Sequence, residues 1–380
     1  MSYARFAFTG VSLAALLAFT APMAVAQSVN QSPTAAMRAE LKEADKAMGR
    51  VLKELQTLGV KPVAKLSVEE ARKQPTPADA VKAILKADGK DPMALMAAMK
   101  VSKKDMTYPT GGGTQPVRIY TPENAASGPL PLIVYYHGGG FVIADIETYE
   151  ASAMALAHKT SSIVASVEYR HAPEAKFPAQ GEDALAAYKW VVENGGQFNA
   201  DTKRVAVAGE SAGGNLAINV AIAARDTKLQ APLHMLLVYP VAGVDTDTPS
   251  YREHAQAAPL GKADLLWYFD KTLNDPQDKQ DPRLDIVGKA NLKGLPSATV
   301  INAELDPLAS EGKTLAQKLK AAGVEVTQKT YEGVAHEFFG MNAVVPDAEK
   351  AQMLAAKELK EAFSAATKTG STGNAKKSSD

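Results

Sequence analysis

The sequence predicts an α/β protein with a mainly parallel central sheet, helices on both faces and a helical cap. Three observations carry that expectation. From Pro116 onward, short β-rich runs alternate with helical stretches, the pattern of strands joined by crossover helices. The central runs, such as Leu132–Tyr136 and Val205–Ala208, are apolar without alternation, as expected of strands buried on both faces. Residues 241–292 then break the rhythm with a more polar, proline-bearing stretch, which reads as an insertion above the strand ends. At 380 residues the chain is long enough for one large domain of this kind with added elements.

Residues 1–26 read as a signal peptide outside the fold. Arg5 supplies a weak basic start, Val11 to Phe19 is apolar apart from Ser12, and Ala24-Val25-Ala26 offers small residues for cleavage before Gln27. The apolar stretch is short for a membrane span, so the expectation is an exported protein, periplasmic or secreted, without a stable membrane anchor. Residues 27–104 read as an N-terminal helical cap segment, with the stretch from Thr34 to Lys104 helical throughout. Met37, Leu41, Ala44, Met48, Val51, Leu55 and Leu58 form one apolar stripe at steps of four and three. That stripe suits a helix docked on its own domain; a coiled-coil seam in a homodimer is the alternative. Ser67 and Glu70 form a capping box opening a short helix that Pro75 stops, and further helices are expected near Ala78–Ala87 and Met93–Lys100.

Residues 105–366 hold the α/β domain. Strands are expected at Val117–Tyr120, Leu132–Tyr136, Ile163–Val167, Val205–Ala208, Met235–Tyr239, Ala298–Asn302 and Val324–Thr330. Helices are expected near Tyr149–Lys159, Glu182–Glu193, Ala212–Arg225, Glu311–Ala322 and Ala348–Ala366, with one piece near Lys262–Leu273 inside the 241–292 cap insertion. Residues 367–380 carry no apolar side chain larger than Ala and read as a disordered tail.

Composition narrows the chemistry. There are 42 basic and 42 acidic residues, and removing the leader leaves a net charge near −1, which offers no field for nucleic acid. The absence of cysteine excludes thiolate zinc sites, iron–sulfur clusters, disulfides and a cysteine nucleophile. Nothing in the sequence points to a metal or an organic cofactor. Catalysis, if any, falls to Ser, His, Asp or Glu.

Gly209-Glu210-Ser211-Ala212-Gly213 stands between the strand ending at Ala208 and the helix from Ala212. In Gly-x-Ser-x-Gly the glycines permit a turn too tight for side chains, which exposes a strained serine over a helix N-terminus. Ser211 is the expected nucleophile. His137-Gly138-Gly139-Gly140 follows another strand, and consecutive glycines let backbone N–H groups converge on a developing oxyanion, with the N–H of Ala212 as partner donor. A base and an orienting acid should follow in the order Ser, Asp or Glu, His. His336, past the last β-run, is preferred to His254 in the insertion; Asp306 is preferred to Glu304, which lies nearer the strand proper. His158, His171 and His234 read as structural.

These residues resemble the hormone-sensitive-lipase-like carboxylesterases, bacterial lipolytic family IV, of the α/β-hydrolase fold. The likeness spans roughly Val117 to Gly340, with weaker similarity in the Ser67–Arg72 helix. It rests on Pro116–Tyr120, the His137 glycine motif, Glu168-Tyr169-Arg170, Ala172-Pro173-Glu174, Phe177-Pro178-Ala179, Gly209–Gly214, Asp306-Pro307-Leu308 and His336. The resemblance implies Ser211 as nucleophile, His336 as base, Asp306 as acid, and oxyanion donors at Gly138, Gly139, Gly140 and Ala212, with His137 shaping the loop. It implies a serine carboxylesterase acting on small esters of short acyl chain, without cofactor or metal. A deacetylase, lactonase or amidase of the same fold, or a non-catalytic binding protein, is the alternative. Glu210 and Glu168 replace an Asp that is usual in the family, His171 replaces Leu, and Glu337 stands where Gly is common. Trp267, Tyr268 and Phe269 are candidates either for the substrate pocket or for cap packing.

Overall fold

The computed structural model describes residues 44–125 and 127–375, with side chains to Thr367. The expected leader and the start of the apolar stripe, Met37 and Leu41, lie outside the described residues. The chain opens with α1 (Lys46–Thr57), α2 (Val68–Lys73), α3 (Pro77–Ala87) and α4 (Pro92–Ala98), followed by β1 (Val101–Thr110), β2 (Gly113–Pro122) and β3 (Leu130–Tyr136). Then come α5 (Glu150–Thr160), β4 (Ile163–Val167), α6 (Ala179–Asn194), β5 (Ala200–Glu210), α7 (Ala212–Asp226) and β6 (His234–Val238). The insertion carries α8 (Pro249–Glu253), α9 (Lys262–Thr272) and α10 (Ile286–Lys289); β7 (Ser297–Leu305), α11 (Ala309–Ala321), β8 (Val326–Ala335) and α12 (Pro346–Ala375) complete the chain.

The eight strands form one sheet in the order β1-β2-β4-β3-β5-β6-β7-β8. β1 and β2 run antiparallel to their neighbours, and the remaining strands are mutually parallel. Alternate residues of each central strand enter opposite cores. Leu132, Val134 and Tyr136 pack on one face with Val205 and Val207; Ile133 and Tyr135 pack on the other with Ala206 and Ala208. Both faces are therefore covered by helices, which is why these strands read as unbroken apolar runs. Among the described residues no helix is long and apolar enough to cross a membrane.

Register decides what meets at the carboxyl edge of the sheet. Glu210 of β5 lies opposite Val238 of β6, and Leu305 of β7 opposite Ala335 of β8. The residues that follow these strands, 211, 306 and 336, thus emerge side by side.

Three expectations change, and one choice between alternatives is decided. The N-terminal stretch is not helical to Lys104, because Val101–Thr110 is an edge strand paired along its length with β2. Of its ten residues only Tyr108 is buried, and charged edge strands show little apolar alternation to read. The last two strands run further than expected, β7 to Leu305 and β8 to Ala335, so His336 follows its strand directly. Over its described part the apolar stripe docks on its own domain, the preferred reading, and not in the alternative coiled-coil seam. Met48, Val51, Leu52 and Leu55 are buried against Ala80, Val81, Ile84 and Leu85 of this same chain. Finally, helix α12 continues to Ala375, past the expected tail boundary at Thr367. Once a helix is nucleated by its packed portion, each added residue gains a backbone hydrogen bond at little further ordering cost. The Ser67–Glu70 capping box is present in both directions, at 3.2 and 2.8 Å.

Candidate active site

Ser211 occupies the turn between β5 and α7 with φ 56° and ψ −119°, a backbone region that costs a non-glycine residue about 1–3 kcal/mol. The surroundings hold it there. Its N–H donates to Val238 O (2.9 Å), and its own carbonyl accepts from the N–H groups of Gly214 (3.0 Å) and Val241 (3.1 Å). The flanking glycines are forced by contact: a Cβ on Gly209 would lie 2.0 Å from Gly213 O, and one on Gly213 would lie 2.0 Å from Tyr136 O. Neither neighbour can retreat, since both are backbone.

His336 Nδ1–H donates to Asp306 Oδ2 at 2.7 Å, and Ser211 Oγ–H donates to His336 Nε2 at 3.0 Å. An ionised carboxylate only accepts, so Asp306 fixes the imidazole tautomer that leaves Nε2 free to receive the serine proton. Leu308 N–H holds the other carboxylate oxygen of Asp306 at 2.8 Å. All three side chains are buried. The structure thus brings together the three residues singled out from the sequence. It leaves out the alternatives: Glu304 is exposed and accepts from Gly333 N–H (2.7 Å), while His254 lies in the insertion beside Glu253.

Burial pulls the His336 imidazole down, but the Asp306 charge and hydrogen bond, with Glu337 and Glu210 behind them, more than offset it. Its pKa stands above the usual value near 6.5. Glu337 Oε1 lies 3.8 Å from His336 Nε2 and accepts from Tyr149 Oη–H at 2.6 Å. Glu210, next to the serine, accepts from Tyr135 Oη–H (2.5 Å) and from Tyr239 Oη–H. Burial, helped by the Glu337 charge, pushes Glu210 up to about 7. The sequence flagged both glutamates as departures but gave no sign of their tyrosine partners. The Tyr239 ring also packs 4.5 Å from that of His336. Its position at the carboxyl end of a parallel strand was the available signal. Glu311, in the first turn of α11, was missed too. It accepts from Ala242 N–H (2.7 Å) and so anchors the start of the cap insertion. Burial pushes its carboxyl up to about 8.

Gly139 and Gly140 line a cavity of about 730 Å³ together with Ser211 and His336. Both adopt positive φ, and a Cβ on Gly140 would fall 2.2 Å from the Tyr268 ring. Their N–H groups and that of Ala212, the first residue of α7, donate to no protein acceptor among the described residues. Gly138 sits behind the wall, where a Cβ would meet Tyr149 Oη at 2.3 Å. His137 Nδ1–H donates to Gly138 O (2.8 Å) and Nε2–H to Glu168 Oε1 (3.1 Å), and the ring makes no hydrogen bond to Ser211.

The cavity is roofed by two segments far apart in sequence. Val60, Val63 and Ala71 come from the N-terminal helices; Leu260, Leu265 and Tyr268 come from the insertion. They are tied together by Ala64 N–H to Asp264 Oδ1 (3.0 Å) and Trp267 Nε1–H to Leu66 O (3.2 Å). Of the three cap aromatics, Tyr268 and Phe269 reach the cavity, while Trp267 joins the two cap pieces. His234 is held by Ser297 and Thr299 and His158 by Met99 O, as structural residues are.

A buried serine hydroxyl on a fixed imidazole, beside unpaired backbone donors, is equipped for acyl transfer. A profile of the family described as alpha/beta hydrolase fold matches residues 133–340. A carboxylesterase of Mycobacterium tuberculosis, NlhH, is 37% identical over 266 residues, covering 69% of this chain and 82% of its own. An ethyl acetate hydrolase of Pseudomonas putida is 31% identical over 335 residues, 87% of this chain and 98% of that one. Among solved structures, a thermostable esterase from Pseudomonas putida superposes with TM-score 0.75 at 31% identity, covering 84% of this chain and 98% of its own. A hyperthermophilic esterase from Pyrobaculum calidifontis gives 0.70 at 33% identity, over 81% and 96%.

Proposed function

We propose that this chain, which belongs to the hormone-sensitive-lipase-like carboxylesterases of the α/β-hydrolase fold and is a carboxylic ester hydrolase, hydrolyses short-acyl esters by two-step acyl transfer at Ser211. The observation that carries the mechanism is the continuous line Ser211 Oγ–His336 Nε2, His336 Nδ1–Asp306 Oδ2 at 3.0 and 2.7 Å. Ser211 Oγ attacks the ester carbonyl as its proton passes to His336 Nε2. The unpaired N–H groups of Gly139, Gly140 and Ala212 receive the oxyanion. His336 then protonates the departing alcohol, and water repeats the sequence to release the acid and regenerate the serine. Asp306 holds the imidazole and offsets its charge while it carries the proton.

The short-acyl preference draws its support from the roof and from one relative. The aromatic and aliphatic cap side chains close over a cavity sized for a small molecule. The Pseudomonas putida relative, aligned over nearly its whole length, is an ethyl acetate hydrolase. A fluorophosphonate probe should label wild-type protein and not Ser211→Ala, and p-nitrophenyl esters from acetate to decanoate should peak at the short end. Labelling of the Ala variant, or none of the wild type, would sink the mechanism; a peak at decanoate would sink only the chain-length reading. Export by the leader belongs to the same proposal, and a mature protein whose amino terminus is not Gln27 or close to it would count against it.

A further inference from the structure

We infer that His137, Glu168 and His171 form a binding site for a divalent transition ion of zinc type, on the cavity wall beside the glycine loop. Their donor atoms all lie within 4.8 Å of one another. His137 Nε2 is 3.1 Å, and His171 Nε2 2.9 Å, from the same oxygen, Glu168 Oε1. Donors around a tetrahedral zinc ion bonded at about 2.0–2.2 Å stand about 3.3–3.6 Å apart. The two histidine nitrogens therefore need to draw back from Glu168 Oε1 by only a few tenths of an ångström to reach that spacing.

Three details favour an ion over a plain ion-pair cluster. His137 Nδ1–H donates to Gly138 O at 2.8 Å, so the ring keeps its orientation when an incoming cation displaces the Nε2 proton that otherwise bonds Glu168 Oε1 at 3.1 Å, and Nε2 then offers its lone pair. Ligating histidines are commonly oriented in this way, by a second-nitrogen bond to a carbonyl. The His171 Nε2 atom is buried and stands 2.9 Å from Glu168 Oε1 without a well-formed hydrogen bond to any protein group. The group is also held rigidly. His137 stacks on Tyr169 with ring centroids 4.4 Å apart, and Glu168 Oε2 accepts from Ile146 N–H at 3.3 Å. Glu168 and His171 line the large cavity, so an ion has an entry path and an open fourth position for water.

The proposal goes beyond ester hydrolysis and does not depend on it. Its readout is binding. Zinc chloride titrated into metal-stripped full-length protein, in competition with a chromophoric chelator at neutral pH, should reveal one tight site per chain. His171→Leu and Glu168→Gln should each weaken it by about tenfold or more, since even loss of an outer-shell partner costs that much. Cobalt(II) should give visible bands of four-coordinate intensity in wild type and lose them in His171→Leu. Zinc should also raise the Tm of wild type but not of His171→Leu, whose metal-free melting shows that the variant folds. Stoichiometric zinc uptake undiminished in both variants would overturn the assignment, as would wild-type protein that takes up no zinc.

Discussion

The floor of the cavity hangs from strand ends, whereas its roof is assembled from short helices two hundred residues apart in sequence. On the floor, Ser211, Asp306 and His336 each follow a parallel strand whose register with its neighbour is set by several backbone pairings and two packed faces. In the roof, the Val63–Leu66 turn before α2 meets α9 through a handful of contacts, Asp264 to Ala64 and Trp267 to Leu66 among them. Displacing a floor residue means moving a strand; displacing a roof residue means turning a short helix. The floor should therefore carry the rate and the roof the choice of substrate.

The largest expected effect tests the floor. His336→Ala should lower turnover of p-nitrophenyl acetate by on the order of 10⁶-fold, and Asp306→Asn by about 10⁴-fold, as in other serine hydrolases built this way. Circular dichroism should stay native in both. If either variant kept more than a tenth of wild-type turnover, the hydrogen-bonded line would not be the reacting group.

Next comes the wall where floor and roof touch. Gly140→Ala puts a methyl group 2.2 Å from the Tyr268 ring at a φ of +60°. The loop must shift, and loss of one oxyanion donor costs about 10²–10³-fold in kcat. The double variant Gly140→Ala, Tyr268→Ala separates the causes. Partial recovery would assign the loss to the ring contact, and no recovery to the backbone conformation itself.

A roof substitution should act more gently. Leu265→Ala enlarges the cavity, and one or a few methylenes of pocket are worth about 1–3 kcal/mol between substrates. The expected result is a rise in relative kcat/KM for butyrate and hexanoate esters over acetate of about 10- to 200-fold at most, with kcat for acetate little changed. A matching collapse of kcat would erase the distinction between floor and roof.

The smallest effect concerns pH. The base must be neutral to accept the serine proton, and the carboxylates around His336 hold its pKa above the usual value. Activity is then full above that pKa and falls as pH drops through it. Glu337→Gln removes one of the charges that favour imidazolium, after Asp306 the nearest, so the acid limb of kcat/KM should move to lower pH. A limb that moved up or stayed put would show that Glu337 serves the Tyr149 contact and not the electrostatics.

What the sequence held by itself is local or ordered along the chain. The strand–turn–helix around Ser211 is dictated by glycines whose side-chain positions the backbone already fills. The Ser67 capping box, the run of parallel strands and the order Ser211, Asp306, His336 are equally readable, because each rests on a few neighbouring residues or on succession. The edge strand Val101–Thr110 was not readable, since its hydrogen bonds run to a partner and its side chains face water. Nor were the tyrosines that clasp Glu210 and Glu337, or the grouping of His137 with Glu168 and His171. Tyr149 reaches Glu337 across 188 residues, and Tyr135 reaches Glu210 across 75. Such meetings are fixed by sheet register and helix packing, which decide where a side chain ends up. Composition and spacing record only that it is there.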